Sequence, residues 1–271
     1  MVYQDAIMRK ASASGGDTSK ENYRFPGDFI LERLELIDKE GVPTDISALS
    51  LEVNILQDLF LPFMQIEIAV NDSAGFVNAV SNGLSGGEII YVSFKTADPD
   101  FVMNKMLFAV NGVKERVRNT TGNETYVIEG YSLEHFNTID KKISKAFGTG
   151  SGKKINEIVQ IIFDEHIMTP ELKSVYNLYK NEGREVSKTG IQALTTTTGL
   201  HSCVIPMYNP IEAIRYLCDE GVDDDTASKL LFYETFLGFQ FRSLGKLIKE
   251  EPKGEEFLYH PSSYNNDVYK D

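Results

Sequence analysis

Apolar and polar residues alternate with a period of two through much of the first 130 positions. "LSLEVNI" sets Leu49, Leu51, Val53 and Ile55 on one face and Ser50, Glu52 and Asn54 on the other. "MQIEIAVN" repeats the pattern with Met64, Ile66, Ile68 and Val70. Such alternation predicts strands with one buried and one wet face. Further strands are predicted over 30–38, 88–96, 105–116 and 124–131. Strands this closely spaced, without long helices between them, predict an antiparallel sheet closed into a barrel or sandwich. The segment "NDSAGFVNAVSNGLSGGE" (71–88) interrupts them, with a short helix in its middle and Gly86-Gly87 turning into the next strand.

The period changes after about Leu133. "FGTGSGKK" (147–154) reads as a glycine-rich inter-domain turn, and Ile155, Ile158, Val159, Ile162 and His166 then follow at helical spacing. A second helix has defined ends: Asn209 as N-cap, Pro210 in the first helical position and Glu212 reaching back as in a capping box. Ile211, Ile214, Leu217 and Cys218 form its apolar face, and Gly221 stands where a left-handed C-terminal residue is expected. The Thr/Gly-rich stretch 187–202 reads as a loop. "LLFYETFLGFQFRSLGKLI" (230–248) predicts a hairpin turning at Gly238, with Phe239 and Phe241 alternating against Gln240 and Arg242.

The pattern therefore predicts an α+β, mainly β chain. An antiparallel β-barrel occupies 25–140 and a smaller mixed α/β domain 141–250. A polar arm precedes them (1–24) and an extended tail follows (251–271). No internal repeat is visible at solenoid or propeller periods.

Composition narrows the chemistry. Lys and Arg number 27 against 40 Asp and Glu, a net charge of −13, which disfavours a phosphate-gripping, sequence-specific nucleic-acid surface. The two cysteines, Cys203 and Cys218, are too few for a disulfide framework in 271 residues. No run approaches the ~20 apolar residues that span a bilayer, and the start lacks a secretory h-region, so synthesis and folding in a cytoplasm are expected.

The candidate chemical motifs fail on spacing. "GTGSGK" (148–153) lacks the paired glycines and Lys-Ser/Thr of a phosphate-binding loop. His135, His166, His201 and His260 are scattered, and His201 with Cys203 lacks a second close ligand pair. "DEGVDDDTAS" (219–228) does not fit the twelve-residue calcium loop and reads as a solvated turn. No G-x-S-x-G elbow occurs. The expectation is a chain with no catalytic residues, no metal and no cofactor, whose work is contact.

The order of features resembles the baseplate hub proteins of contractile phage tails, relatives of the hub part of type VI secretion spikes. In that family a proline-started helix, here "NPIEAIRYLCDEG", leads through an acidic loop to an aromatic hairpin. Phe232, Tyr233, Glu234, Gly238, Phe239, Phe241, Ser243 and Leu244 match it residue by residue. "LQDLFLPFMQIEIAVNDSAGFVNAV" (56–80) and "GGEIIYVSFKT" (86–96) are similar to its tube-type barrel. The resemblance implies a homotrimeric ring in the virion's baseplate, between the tail tube protein and the central spike protein. The tape-measure protein would enter its channel and baseplate wedge proteins would surround it. Family hubs carry two such barrels, whereas this sequence shows one. The resemblance places candidate interface residues at Leu59, Phe60, Leu61, Pro62, Asp72, Phe76, Tyr91 and Phe94. Burial between subunits would account for the two apolar faces of "EIIYVSF". The alternatives are a tail-tube initiator and, from another class, a tail-associated cell-wall hydrolase.

Overall fold

The computed structural model describes residues 29–73, 75, 84–96, 104–118, 122–186 and 190–251. The arm at 1–24, the centre of the segment expected to hold a short helix, Phe76 and residues 252–271 of the tail lie outside them. Seven strands form one sheet: β1 (Phe29–Ile37), β2 (Pro43–Asp45), β3 (Ser50–Leu56), β4 (Gln65–Asp72), β5 (Ile89–Thr96), β6 (Asn104–Arg118) and β7 (Glu124–Ser132). Their order is β2-β1-β5-β6-β7-β4-β3, with every neighbouring pair antiparallel.

This sheet curls into a half-barrel around Leu34, Ile66, Ile68, Val92, Phe108 and Ile128. The turn between β2 and β3 ties its two ends together. Ile46 N–H donates to the Leu34 carbonyl in β1 (2.9 Å), and Asn71 N–H in β4 donates to the Leu49 carbonyl (2.9 Å).

β4 follows the predicted alternation, with Ile66, Ile68 and Val70 buried. β3 departs from it. A bulge between Ser50 and Glu52 inserts a residue into the ladder, so Leu51, expected in the core, is 60% exposed while Val53 stays buried. β5 and β6 carry two apolar faces, and the chain itself covers both. Ile90, Val92 and Phe94 point into the half-barrel, whereas Tyr91, Leu107 and Ala109 pack with the α/β region. The two-sided pattern of "EIIYVSF" thus has an internal cause and does not need a neighbouring subunit.

The α/β region comprises α1 (Leu133–Ile139), β8 (Ile143–Phe147), α2 (Ile155–Ile162), α3 (Pro170–Asn181), β9 (Ile191–Leu194), β10 (Cys203–Tyr208), α4 (Pro210–Glu220), β11 (Leu230–Thr235), β12 (Gly238–Ser243) and α5 (Leu244–Lys249). α2 runs on into a π-helical turn, Phe163–Ile167. β8 and β10 form an antiparallel ribbon. β11 and β12 form the expected hairpin, but it turns through Phe236 and Leu237 and not at Gly238, which opens β12 opposite Thr235. β9 joins β12 in parallel, so the stretch read as a loop contributes a strand. The glycine-rich turn connects β8 to α2 inside this region and is not inter-domain. Gly148 has φ +71°, and a Cβ there would lie 2.1 Å from the His201 carbonyl oxygen.

α4 has the expected capping box: Asn209 accepts from Glu212 N–H (2.8 Å), and Glu212 accepts from Asn209 N–H (2.8 Å). Gly221 is not left-handed. Its backbone is extended (φ −87°, ψ 148°), and a Cβ there would stand 2.9 Å from the Leu217 carbonyl oxygen and 2.6 Å from Leu230 Cδ1, so glycine suits the close packing of the helix end.

The half-barrel and the α/β region meet at the hairpin. Glu234 is buried, and its Oε2 accepts from Met64 N–H (2.8 Å), just before β4, and from Ser132 Oγ (2.6 Å), at the end of β7. Phe239 packs beside it against Phe63 of the β3–β4 loop (centroids 6.1 Å apart), Phe163 (5.1 Å) and Phe232 (5.6 Å). A second tie lies further along the seam, where Arg184 Nε donates to Glu35 Oε2 (2.7 Å) and Arg33 donates to the Gly183 carbonyl (3.1 Å). Burial alone would raise the Glu35 carboxyl, but hydrogen bonds and charge from Arg184 and Arg33 outweigh it and hold the group below its usual range.

Two outcomes follow from this seam. Glu234→Ala leaves the buried Met64 N–H and Ser132 hydroxyl without their acceptor and is expected to cost about 3 kcal/mol in urea unfolding. His135 packs against Phe63 (5.2 Å) and Tyr131 (4.8 Å), and burial pushes its imidazole below the ordinary value. The fold therefore favours neutral His135. That contribution is complete above the unfolded pKa of about 6.5 and is lost as pH falls below it. The melting temperature should drop between pH 7.5 and 5.5, and His135→Phe should reduce the drop.

Candidate interaction surface

The hairpin residues that carry the family resemblance lie inside the molecule. Phe232, Tyr233, Glu234, Phe239, Phe241 and Ser243 are buried along with Gly238, and Leu244 is half-buried at the start of α5. Ser243 caps α5 by accepting from Lys246 N–H (3.1 Å). Its hydroxyl also meets those of Thr226 (3.2 Å) and Ser228 (3.2 Å).

Those hydroxyls belong to the acidic loop, where a solvated turn was expected. Asp223 is instead buried. It accepts from the N–H groups of Asp225 (2.8 Å) and Ala227 (3.2 Å), from Thr226 through both its N–H and its hydroxyl, and from Ser228 Oγ (3.3 Å). Burial would raise this carboxyl, but the donors, Ser243 and Thr226 foremost, outweigh it and hold it well below the usual range. Asp224 and Asp225 do face solvent, where they pair with Lys246 (2.6 Å) and Lys249 (3.5 Å). Charge is thus sorted within the loop: one carboxylate organises it and two are answered by lysines of α5.

The candidate interface residues divide by burial. Asp72 is buried, accepting a long hydrogen bond from Tyr126 Oη (3.4 Å). Tyr91 is buried beneath the Arg33 guanidinium, 5.2 Å from its ring centroid. Phe94 is buried edge-on to Phe29 (6.4 Å) and Phe236 (6.0 Å). These three residues act in packing, and their side chains are withdrawn from the surface on which they were expected.

Leu59, Phe60 and Leu61 are on the surface, 42%, 59% and 52% exposed, with Pro62 half-buried behind them. Local hydrogen bonds shape their loop. Asp58 accepts from Phe60 N–H through its side chain (2.8 Å) and from Leu61 N–H through its carbonyl (3.3 Å). Behind the loop, Glu234 holds the N–H of Met64. The apolar tip is therefore presented on a fixed stem.

A cleft of about 180 Å³ opens where this loop faces α4 and β11, lined by Phe60, Pro62, Ile214, Cys218, Leu230 and Phe232 among others. Burial pushes the Cys218 thiol up to about 12, so it is an apolar part of the wall and not a nucleophile at neutral pH. Sequence reasoning missed a second apolar strip. Leu200, Val204 and Met207, on and beside β10, are 67%, 64% and 64% exposed. Met207 sits at a bulge in the β8–β10 ribbon with φ +56°. The alternation in "CVIPMY" was the available signal, but it needed β10 to be recognised as a strand.

Among the described residues no group of three or more His, Cys, Asp or Glu is placed to hold a metal ion, and no helix is long and apolar enough to cross a membrane. His201 points Nε2 toward the Thr198 carbonyl (3.4 Å), while its backbone bridges to Lys153. The surface can offer apolar contact, strand edges at β2 and β3, and ion pairs.

No protein-family model matches the sequence, and no curated protein matches it. In three dimensions the chain is similar to the 43 kDa tail protein of prophage MuSo2 from Shewanella oneidensis, with a TM-score of 0.44 and 10% identity over 77% of this chain and 53% of that one. It is also similar to a chain of the Francisella PdpA–VgrG complex, with a TM-score of 0.36 and 12% identity over 83% of this chain and 30% of that one. The chain therefore spans about half the length of the first and under a third of the second.

Proposed function

We propose that this chain is a structural hub component of a contractile-tail baseplate. In this reading it assembles as a homotrimeric ring around the tail channel and joins the tail tube to the central spike. The tape-measure protein reaches into the ring, and wedge proteins contact its outside. The half-barrel within 25–140 would supply the ring wall and the α/β domain within 141–250 its buttress. The assembled protein would reside in the virion.

One observation carries the reading. The residues whose order resembles the hub family hairpin, from Phe232 to Leu244, are those that join the half-barrel to the α/β region through Glu234 and Phe239. A signature that serves as a joint fits a protein selected for shape. The exposed Leu59-Phe60-Leu61 tip supports it as well, because large apolar side chains on a fixed loop suit an interface core. The α/β region favours a hub over a tail-tube initiator, a role for which a single barrel without that region would suffice.

Native mass measurement tests the proposal, using the purified chain alone and mixed with the tube and spike proteins of the same particle. The expected result is a trimer that gains mass with each partner. A persistent monomer that ignores both would overturn it. The double variant Phe60→Ser, Leu61→Ser should fold with stability within about 0.5 kcal/mol of the parent, as exposed substitutions usually do, and should still form the trimer, yet bind the tube and spike proteins less. Phe239→Asp should abolish assembly by disrupting the joint.

A further inference from the structure

The cleft beside Phe60 has a charge arrangement that general stickiness does not explain. Its walls are apolar, yet its rim carries Arg215, Asp219 and Lys229. Asp219 pairs with Lys229 (3.3 Å). Arg215, exposed on α4, has no ion pair among the described residues, although Glu212 one turn earlier is engaged by Lys142 (3.7 Å). The rim thus holds one cation in excess on a chain whose net charge is −13. An apolar hollow with a guanidinium at its lip complements an apolar group covalently next to an anion.

Size and setting point to a polypeptide occupant. About 180 Å³ accommodates one large side chain, and the exposed Leu59, Phe60 and Leu61 extend apolar contact beyond the hollow. Both walls are fixed in advance. Asp58 and Glu234 set the loop, and the reciprocal Asn209–Glu212 cap holds the start of α4. Little ordering is therefore needed when a segment docks.

We infer that this cleft docks a segment of a partner protein in which a bulky apolar residue is followed directly by an acidic one, the apolar side chain entering between Phe60 and Ile214 and the carboxylate meeting Arg215. The inference names a partner chemistry beyond the hub reading and does not depend on it, since the cleft and its rim belong to the single chain.

Two peptides test it, Gly-Ser-Phe-Glu-Ser-Gly and Gly-Ser-Phe-Gln-Ser-Gly, both capped at their termini. Each is titrated into the full chain carrying ¹³C-methyl labels on Ile and Leu. The expected result is that both shift the Ile214 and Leu230 methyl resonances, with the Glu peptide bound about threefold to fivefold more tightly, the range of an exposed ion pair. That preference should disappear in Arg215→Gln, return in Arg215→Lys and fade at high salt. Phe60→Ser should weaken both peptides equally. Equal binding of the two peptides to the parent protein would overturn the proposal, as would shifts confined to other methyls or no binding at all. Self-association of the parent in sedimentation, abolished by Phe60→Ser and competing with the peptides, would assign the cleft to a second copy and also overturn it.

Discussion

The buried side chain of Glu234 is the central polar tie between the two halves of this molecule. Glu234 belongs to β11 of the α/β region, but its Oε2 accepts from the backbone before β4 and from a hydroxyl at the end of β7. A buried carboxylate is stable where donors converge on it, and these donors lie on the opposite half of the structure. The hairpin cannot move away from the half-barrel without taking the acceptor from the Met64 N–H and the Ser132 hydroxyl. Phe239 adds apolar contact at the same place, touching Phe63 on one side and Phe163 and Phe232 on the other. The polar contact fixes position, and the aromatic cluster supplies the surface burial that keeps water from it.

Much of the rest follows from that joint. With the α/β region fixed there, the outward faces of β5 and β6 are covered and need apolar side chains, which is why Tyr91, Leu107 and Ala109 are buried opposite Val92 and Phe108. The β3–β4 loop is anchored at Met64, so the Leu59–Leu61 tip projects from a rigid base. The cleft beside it exists because α4 and β11 are held across from that loop. Acidic chemistry in this chain is therefore largely architectural: Glu234 joins, Asp223 shapes a loop, and Glu35 receives Arg184 and Arg33.

Legibility in the sequence followed the range of the interaction responsible. β4 was readable because its alternation records one buried face, and α4 because its cap lies within four residues. β3 misled at Leu51, since a bulge is a property of pairing and leaves no mark in the period. β9 and β10 were passed over because each is short and is made a strand by a distant partner, β12 in one case and β8 in the other. α3 had local signals in Thr169 and Pro170, but its apolar stripe is too weak to stand out. Among the site residues, exposure at Leu59, Phe60 and Leu61 matched a loop between two strands. Asp72, Tyr91 and Phe94 did not, because the same residue types serve a core and an interface equally well. Gly221 shows a related ambiguity: glycine after a helix suggests handedness, whereas here a Cβ would crowd the Leu217 carbonyl and the Leu230 side chain.

The central claim is that the hairpin makes the half-barrel and the α/β region one cooperative body. Native-state hydrogen exchange with increasing urea measures this directly, by comparing the amides of Ile66 and Ile68 in β4 with those of Phe239 and Phe241 in β12. If Glu234 and Phe239 couple the regions, all four amides should exchange through one opening, with the same free energy and the same urea dependence. Exchange of the β12 amides through a smaller and separate opening, with β4 still protected, would contradict the account.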